Sequence, residues 1–194
     1  EGVDVAIAAR RQDLLEQAAS ELSRETGRKV VPIVADTTSR ESVENLVKSA
    51  TDIMGRGADI LVNNARAEFG KQFEDVTEAE WQTVMDFNVK SMFLCCQAVG
   101  KTMLEQGSGR IVNIGSGLAV RGLWNSAAAC ASQGAIHQLT SALALEWARE
   151  NIRVNAIAPG LVYAPMVAPR MNDDLRQFRA HAAPLKTEGT GWDV

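Results

Sequence analysis

The sequence predicts an α/β protein, a parallel sheet wound on both faces by helices, and three observations carry that prediction. Apolar runs of strand length alternate with amphipathic helical stretches as far as Ile157, giving the order βαβαβαβαβ. The runs show little polar alternation, as expected of strands covered on both faces. Each run gives way at its carboxyl end to a polar residue or a Pro-Gly pair. Right-handed crossovers bring all such ends to one edge, where open α/β sheets bind ligands.

The elements follow in order. Val3 to Ala9 is a strand followed at once by Arg10 and Arg11. In the next stretch Leu14, Leu15, Ala18, Ala19 and Leu22 form one helical stripe, and Gly27 stops it. Val30 to Ala35 is the second strand, ending at Asp36 and Thr37. Ser39 suits the N-cap of a helix to Met54, with Val43, Leu46, Val47 and Ala50 as its apolar face. Ala58 to Val62 is the third strand, ending on Asn63-Asn64. Thr77 and Glu80 match a capping box and open a single helix to about Leu104, which Gly107-Ser108-Gly109 breaks. Ile111 to Ile114 is the fourth strand, Ala128 to Arg149 a long helix, and Ile152 to Ile157 the fifth strand. After Pro159 the chain becomes proline-rich and charged, with one helix at about Asn172 to Ala182. Both a segment that moves over a site and an ordinary irregular connection have this composition.

Composition narrows the function classes. A chain of 194 residues is sized for one domain. It carries 20 basic and 24 acidic residues, so no basic excess exists to neutralise nucleic-acid phosphates. No apolar run is long enough for a transmembrane helix and no signal peptide is visible, so a cytoplasmic protein without a membrane partner is expected. Cys95, Cys96 and Cys130 make neither a disulfide framework nor a zinc pattern, and no metal site is expected.

Four motifs in one order resemble the short-chain dehydrogenase/reductase family. They are Asn63-Asn64-Ala65-Arg66, Asn88-Val89-Lys90-Ser91-Met92-Phe93, Gly109-Arg110-Ile111-Val112-Asn113-Ile114-Gly115-Ser116, and Ile152 to Gly160 with its Arg-Val-Asn-Ala-Ile-Ala-Pro-Gly ending. The resemblance implies a Rossmann-like doubly wound dinucleotide fold, an NAD or NADP cofactor, and hydride transfer between a carbonyl and an alcohol on a small-molecule substrate. It places Ser116 at the substrate oxygen and Asn88 beside a water of the proton relay. It places Asp36 and Thr37 near the adenine, and Asn63, Ala65, Pro159, Gly160 and Val162 along the ribose and nicotinamide. It also implies that residues 1–194 are a single, incomplete NAD(P)-binding domain. The first strand and the glycine-rich turn have no counterpart in the chain, nor does the last helix and strand. A gap between the Val3 and Ala58 strands is the expected consequence.

The chain departs from the family where the chemistry is usually done. The family's tyrosine position is occupied by Ala129, at the usual thirteen-residue spacing from Ser116, and its lysine position by Gln133. Alanine has no proton to give, and glutamine has no charge to stabilise a phenolate. Losing a positioned general acid costs about a hundredfold to ten-thousandfold in rate. Tyr163, the one tyrosine, lies on another segment, and Cys130 points about 100° away from its helix neighbour. Arg10 and Arg11 stand where NAD-preferring members carry an acidic residue, which favours NADP over NAD. Arg66 replaces a glycine, where it either crowds a cofactor or adds a phosphate contact. The resemblance implies a homo-dimer or homo-tetramer through the long helices, and His137, Trp147 and the alanine-rich face of Ala128 to Arg149 are read as that interface, with a simple core face as the other reading. The expectation is an impaired or inactive oxidoreductase, with a catalytically dead binding or scaffold homologue as the alternative.

Overall fold

The computed structural model describes residues 2–164, 168 and 171–194. Among them five strands and six α-helices follow one another: β1 (Val5–Ala9), α1 (Gln12–Thr26), β2 (Val30–Val34), α2 (Arg40–Met54), β3 (Ile60–Asn63), α3 (Glu78–Met85), α4 (Ser91–Gln106), β4 (Gly109–Ile114), α5 (Ala127–Glu146), β5 (Ile152–Ile157) and α6 (Asp173–Ala182). All ladders are parallel, and they form two sheets rather than one. β1 pairs with β2, while β3, β4 and β5 pair in that order. Among the described residues no ladder joins β1 to β3.

Local chemistry accounts for the boundaries. Ser39 Oγ accepts from the Ser42 amide at the start of α2. Thr77 and Glu80 close a reciprocal capping box on α3. Gly27, Gly55 and Gly107 sit in the left-handed region at the ends of α1, α2 and α4, where a Cβ would be strained. The expected single helix from Thr77 to Leu104 is interrupted. Asp86–Lys90 is a π turn between α3 and α4, in which the Ser91 amide reaches back to the Asp86 carbonyl. The Phe87 carbonyl, which a regular turn would give to that amide, accepts instead from Ser91 Oγ. The long helix likewise ends earlier than Arg149. It gives way to a 3-10 turn, Ala148–Glu150, and then to Asn151 at φ 56.

The core lies between the β3-β4-β5 sheet and the layer of α4 and α5. Met103, Ile111, Ile136 and Ile152 are at most 1% exposed there. Burying each such side chain contributes about 1.5–3 kcal/mol. The odd positions of β3 turn inward (Leu61 and Asn63), and the even ones, Ile60 and Val62, are more than half exposed. Among the described residues no helix covers that outer face, although helices on both faces were expected. Of the two readings for Trp147 and His137, the core face is the one observed: both rings face inward. The Trp147 ring packs on Gly100, and the His137 ring lies against Gly115 at the end of β4. The outward stripe of α5 is instead Ala131, Gln138, Ala142 and Leu145, the last 82% exposed.

Candidate functional site

The parallel ladders collect the chemistry-bearing residues at strand carboxyl ends. Arg10 follows β1, Asp36 follows β2, Asn63 closes β3, Ser116 follows β4 and Pro159 follows β5. The first two meet residues of the π turn. The Arg10 guanidinium stacks over the Phe87 ring at 4.6 Å. Asp36 Oδ1 accepts from the Thr38 amide at 2.9 Å and the Thr38 hydroxyl at 2.7 Å. Those two bonds hold the carboxyl below its ordinary value, and the nearby charges of Arg10 and Lys90 lower it further. Asp36 is therefore a fixed anion beside Arg10. Thr37 is half-buried next to it, and Arg11 is exposed.

A buried polar relay supports the middle of the site. Asn63 Nδ2 donates to Asn113 Oδ1 at 2.9 Å, across the β3–β4 register pair. Asn113 Nδ2 donates to Thr140 Oγ1 on α5 at 2.9 Å. The Asn63 side chain is thus a tie between strands. The Asn88 side chain is committed in the same way. Its Oδ1 accepts from the Ala67 amide at 2.7 Å, and its Nδ2 donates to the Ala67 carbonyl and to Ser132 Oγ, both at 2.9 Å. Both amide donors of Asn88 are used, and the loop carrying Ala65 and Arg66 is pinned at Ala67. Arg66 is half-buried and makes no ion pair among the described residues.

Ser116 is half-buried at the mouth of β4, and its Oγ accepts from the Leu118 amide at 3.2 Å. That contact occupies an acceptor lone pair and leaves the hydroxyl proton available to a ligand oxygen. On α5, Ala129 and Gln133 are buried, 5% and 4% exposed. Gln133 Oε1 has no hydrogen-bond partner among the described residues. A buried carbonyl oxygen without a partner costs about 1–3 kcal/mol, which a ligand hydroxyl would recover. Cys130 Sγ lies 4.0 Å from the Arg121 carbonyl, on the side of the preceding loop. Cys95 and Cys96 are buried, and burial pushes their thiols up to about 11 and about 12. None of the three has the environment of an activated nucleophile.

The segment after β5 is tied down where it is described. Val162 bridges Gly189 in parallel, and the Gly160 turn before it is exposed. Tyr163 lies under the Arg176 guanidinium at 4.0 Å. The chain's one phenol is thus held by α6. Pro165 and Pro169, part of the sequence-based reading of this segment, lie outside the described residues.

The profile of the family described as short chain dehydrogenase matches residues 1–175. The chain belongs to the short-chain dehydrogenase family. It is 41% identical over 140 residues to a (2S)-[(R)-hydroxy(phenyl)methyl]succinyl-CoA dehydrogenase subunit, BbsD, of Thauera aromatica, covering 72% of this chain and 56% of that protein. It is 34% identical over 168 residues to an uncharacterized oxidoreductase of Staphylococcus aureus strain USA300, covering 87% and 71%. Among solved structures, a candidate short-chain alcohol dehydrogenase of Sinorhizobium meliloti 1021 superposes with a TM-score of 0.91 at 36% identity, over 98% of this chain and 75% of that one. The chain thus spans a little over half of the first relative's length and about three-quarters of the solved structure. The family generally uses NAD(P) and acts on small molecules. Among the described residues no helix is long and apolar enough to cross a membrane, and no group of acidic, histidine or cysteine side chains could hold a metal ion.

Three contributors were not legible in the sequence. Ser132 is fully buried and joins Asn88 to the Ala129 carbonyl through its hydroxyl, at 2.8 Å to the latter. Thr38 fixes Asp36, and Asn113 links β3 to α5. A polar residue at an inward position of an apolar strand was the one available signal for Asn113.

Proposed function

We propose that this chain holds a dinucleotide across the carboxyl ends of its strands, prefers NADP to NAD, and is impaired in carbonyl–alcohol interconversion. The observation that carries the reading is the α5 surface facing the site. Its family acid position is a buried alanine, and its lysine position is a buried glutamine whose oxygen has no partner among the described residues. Bound NADP would supply a hydride acceptor and donor. Arg10 offers a forked, permanently charged group to a 2′-phosphate, with Arg11 beside it. Asp36 and Thr37 adjoin the adenosine end. Asn63, Ala65 and the Pro159-Gly160 turn through Val162 line the ribose and nicotinamide. Gln133 accepts from a ribose hydroxyl where the family's lysine would donate. Ser116 donates to a substrate oxygen. With Asn88 fully engaged in bracing, no side chain at position 129 completes the proton transfer.

The test is restoration. The double variant Ala129→Tyr, Gln133→Lys is assayed with NADPH over a panel of aryl and alkyl carbonyls. A gain of about a hundredfold or more over the parent supports the reading; a double variant that folds, binds NADPH and stays inactive sinks it. A second reading rests on the outer stripe of α5, where Leu145 is 82% exposed among small residues. In that reading the protein is a binding subunit that associates through this stripe. It predicts no NADPH binding by fluorescence titration, together with a stable oligomer that Leu145→Glu dissolves.

A further inference from the structure

One half-buried residue outside the site carries a well-covered carboxylate. The Glu188 side chain is 7% exposed, lies after α6, and meets two guanidinium groups of that helix. Arg176 Nε donates to its Oε2 at 3.2 Å and Arg179 Nε to its Oε1. Burial raises this carboxyl, but the two hydrogen-bonded arginines outweigh it and hold the group below its ordinary value. Each arginine then does a second thing. Arg179 Nη2 donates to the Val162 carbonyl at 3.2 Å, and Arg176 stacks on the Tyr163 ring at 4.0 Å. The backbone closes the same loop: the Gly189 amide donates to the Leu161 carbonyl at 2.9 Å, and the Tyr163 amide donates to the Gly189 carbonyl at 2.8 Å. Every contact of this cluster converges on Leu161, Val162 and Tyr163, directly after the Pro159-Gly160 turn. A covered carboxylate is costly unless paired, and here both of its oxygens are paired.

We propose that Glu188 is a positioning residue. By orienting Arg176 and Arg179 it fixes the Leu161–Tyr163 segment, and so the turn that meets the nicotinamide half of the dinucleotide. The inference rests on the dinucleotide reading above and assigns its geometry to a residue that touches neither cofactor nor substrate.

The experiment compares whole dinucleotides with their adenosine halves. Parent and Glu188→Gln protein are titrated with NADPH and NADH, then with 2′,5′-ADP and ADP, alongside amide hydrogen exchange. The expected result is about tenfold weaker dinucleotide binding with unchanged binding of the adenosine halves. The Tyr163 and Gly189 amides exchange faster, and Glu188→Asp recovers part of the loss. Equal loss for dinucleotides and halves, or faster exchange with no loss for either, overturns the positioning role. If Glu188→Gln does not fold, Arg179→Lys, which keeps a charge for Glu188 but loses the fork to Val162, decides the same comparison. A parent protein that binds neither dinucleotides nor halves overturns the reading of the site itself, an outcome no Glu188 phenotype can produce.

Discussion

Asn88 Nδ2 lies 2.9 Å from Ser132 Oγ, joining the π turn to α5 three residues beyond Ala129. The widened turn and α5 are therefore tied by a buried hydrogen bond. The same amide holds both backbone groups of Ala67. Asn88→Ala should cost about 1–3 kcal/mol, because it leaves the part-buried Ala67 groups and the buried Ser132 hydroxyl short of partners. Urea unfolding of the variant against the parent measures this. A loss under about 0.5 kcal/mol would mean that water replaces the amide without penalty.

Gly100 touches the Trp147 ring so closely that a Cβ would come within 2.5 Å of it. The ring is rigid and packed against the core, so it cannot yield as a flexible side chain would. Gly100→Ala should destabilise by about 1–3 kcal/mol despite alanine's better helix propensity. Trp147 fluorescence should shift with it. A neutral or stabilising Gly100→Ala would show that this helix contact is looser than described.

Thiol reactivity should separate the cysteines. Cys95 and Cys96 are buried with thiols pushed up to about 11 and about 12, whereas Cys130 is partly exposed. At pH 8 a disulfide reagent should modify Cys130 first in the folded protein, and the other two only on unfolding. Mass mapping of the first adduct to the Cys95–Cys96 peptide would contradict the burial.

Glu80 is held down to about 2 by its hydrogen bond from Lys71, and then by those from the Thr77 amide and hydroxyl. Its folded value lies below the unfolded value of about 4.3. The group therefore contributes stability that is fully present above the unfolded value and lost as pH falls toward about 2. Lys71→Met should raise the Glu80 value and move the acid limb of the stability curve to higher pH. Carboxyl chemical shifts followed from pH 6 to pH 1.5 read both effects directly.

Single restorations should be unequal. Gln133→Lys alone should tighten nucleotide binding without restoring turnover, because no phenol is present for the charge to act on. Ala129→Tyr alone should give slow turnover with a pH optimum shifted upward, because its phenol lacks the neighbouring cation. Steady-state pH profiles of the two single variants and the double variant check this ordering.

Much of this protein was legible in the residues themselves. Strand-length apolar runs fixed the order of elements, and local chemistry fixed their ends: Ser39, the Thr77–Glu80 box, Gly27 and Gly107 act through neighbours a few residues away. The residues at the strand ends, from Arg10 to Pro159, followed from the same order, since parallel crossovers leave no other edge for them. Tertiary structure alone decided what those side chains bond to. Asn88 became a brace because the π turn aims it at Ala67 and Ser132, a detour that no local periodicity marks. Trp147 and His137 turned inward because glycines at positions 100 and 115 left room for their rings. Glu188 met Arg179 because Gly189 returns beside Leu161 to pair with Val162, a contact across 27 residues of chain. Caps and periodicity are short-range forces written in adjacent residues. The partners of a buried polar group are set by which distant segments the packed core brings within 3 Å, and that is decided only when the chain closes on itself.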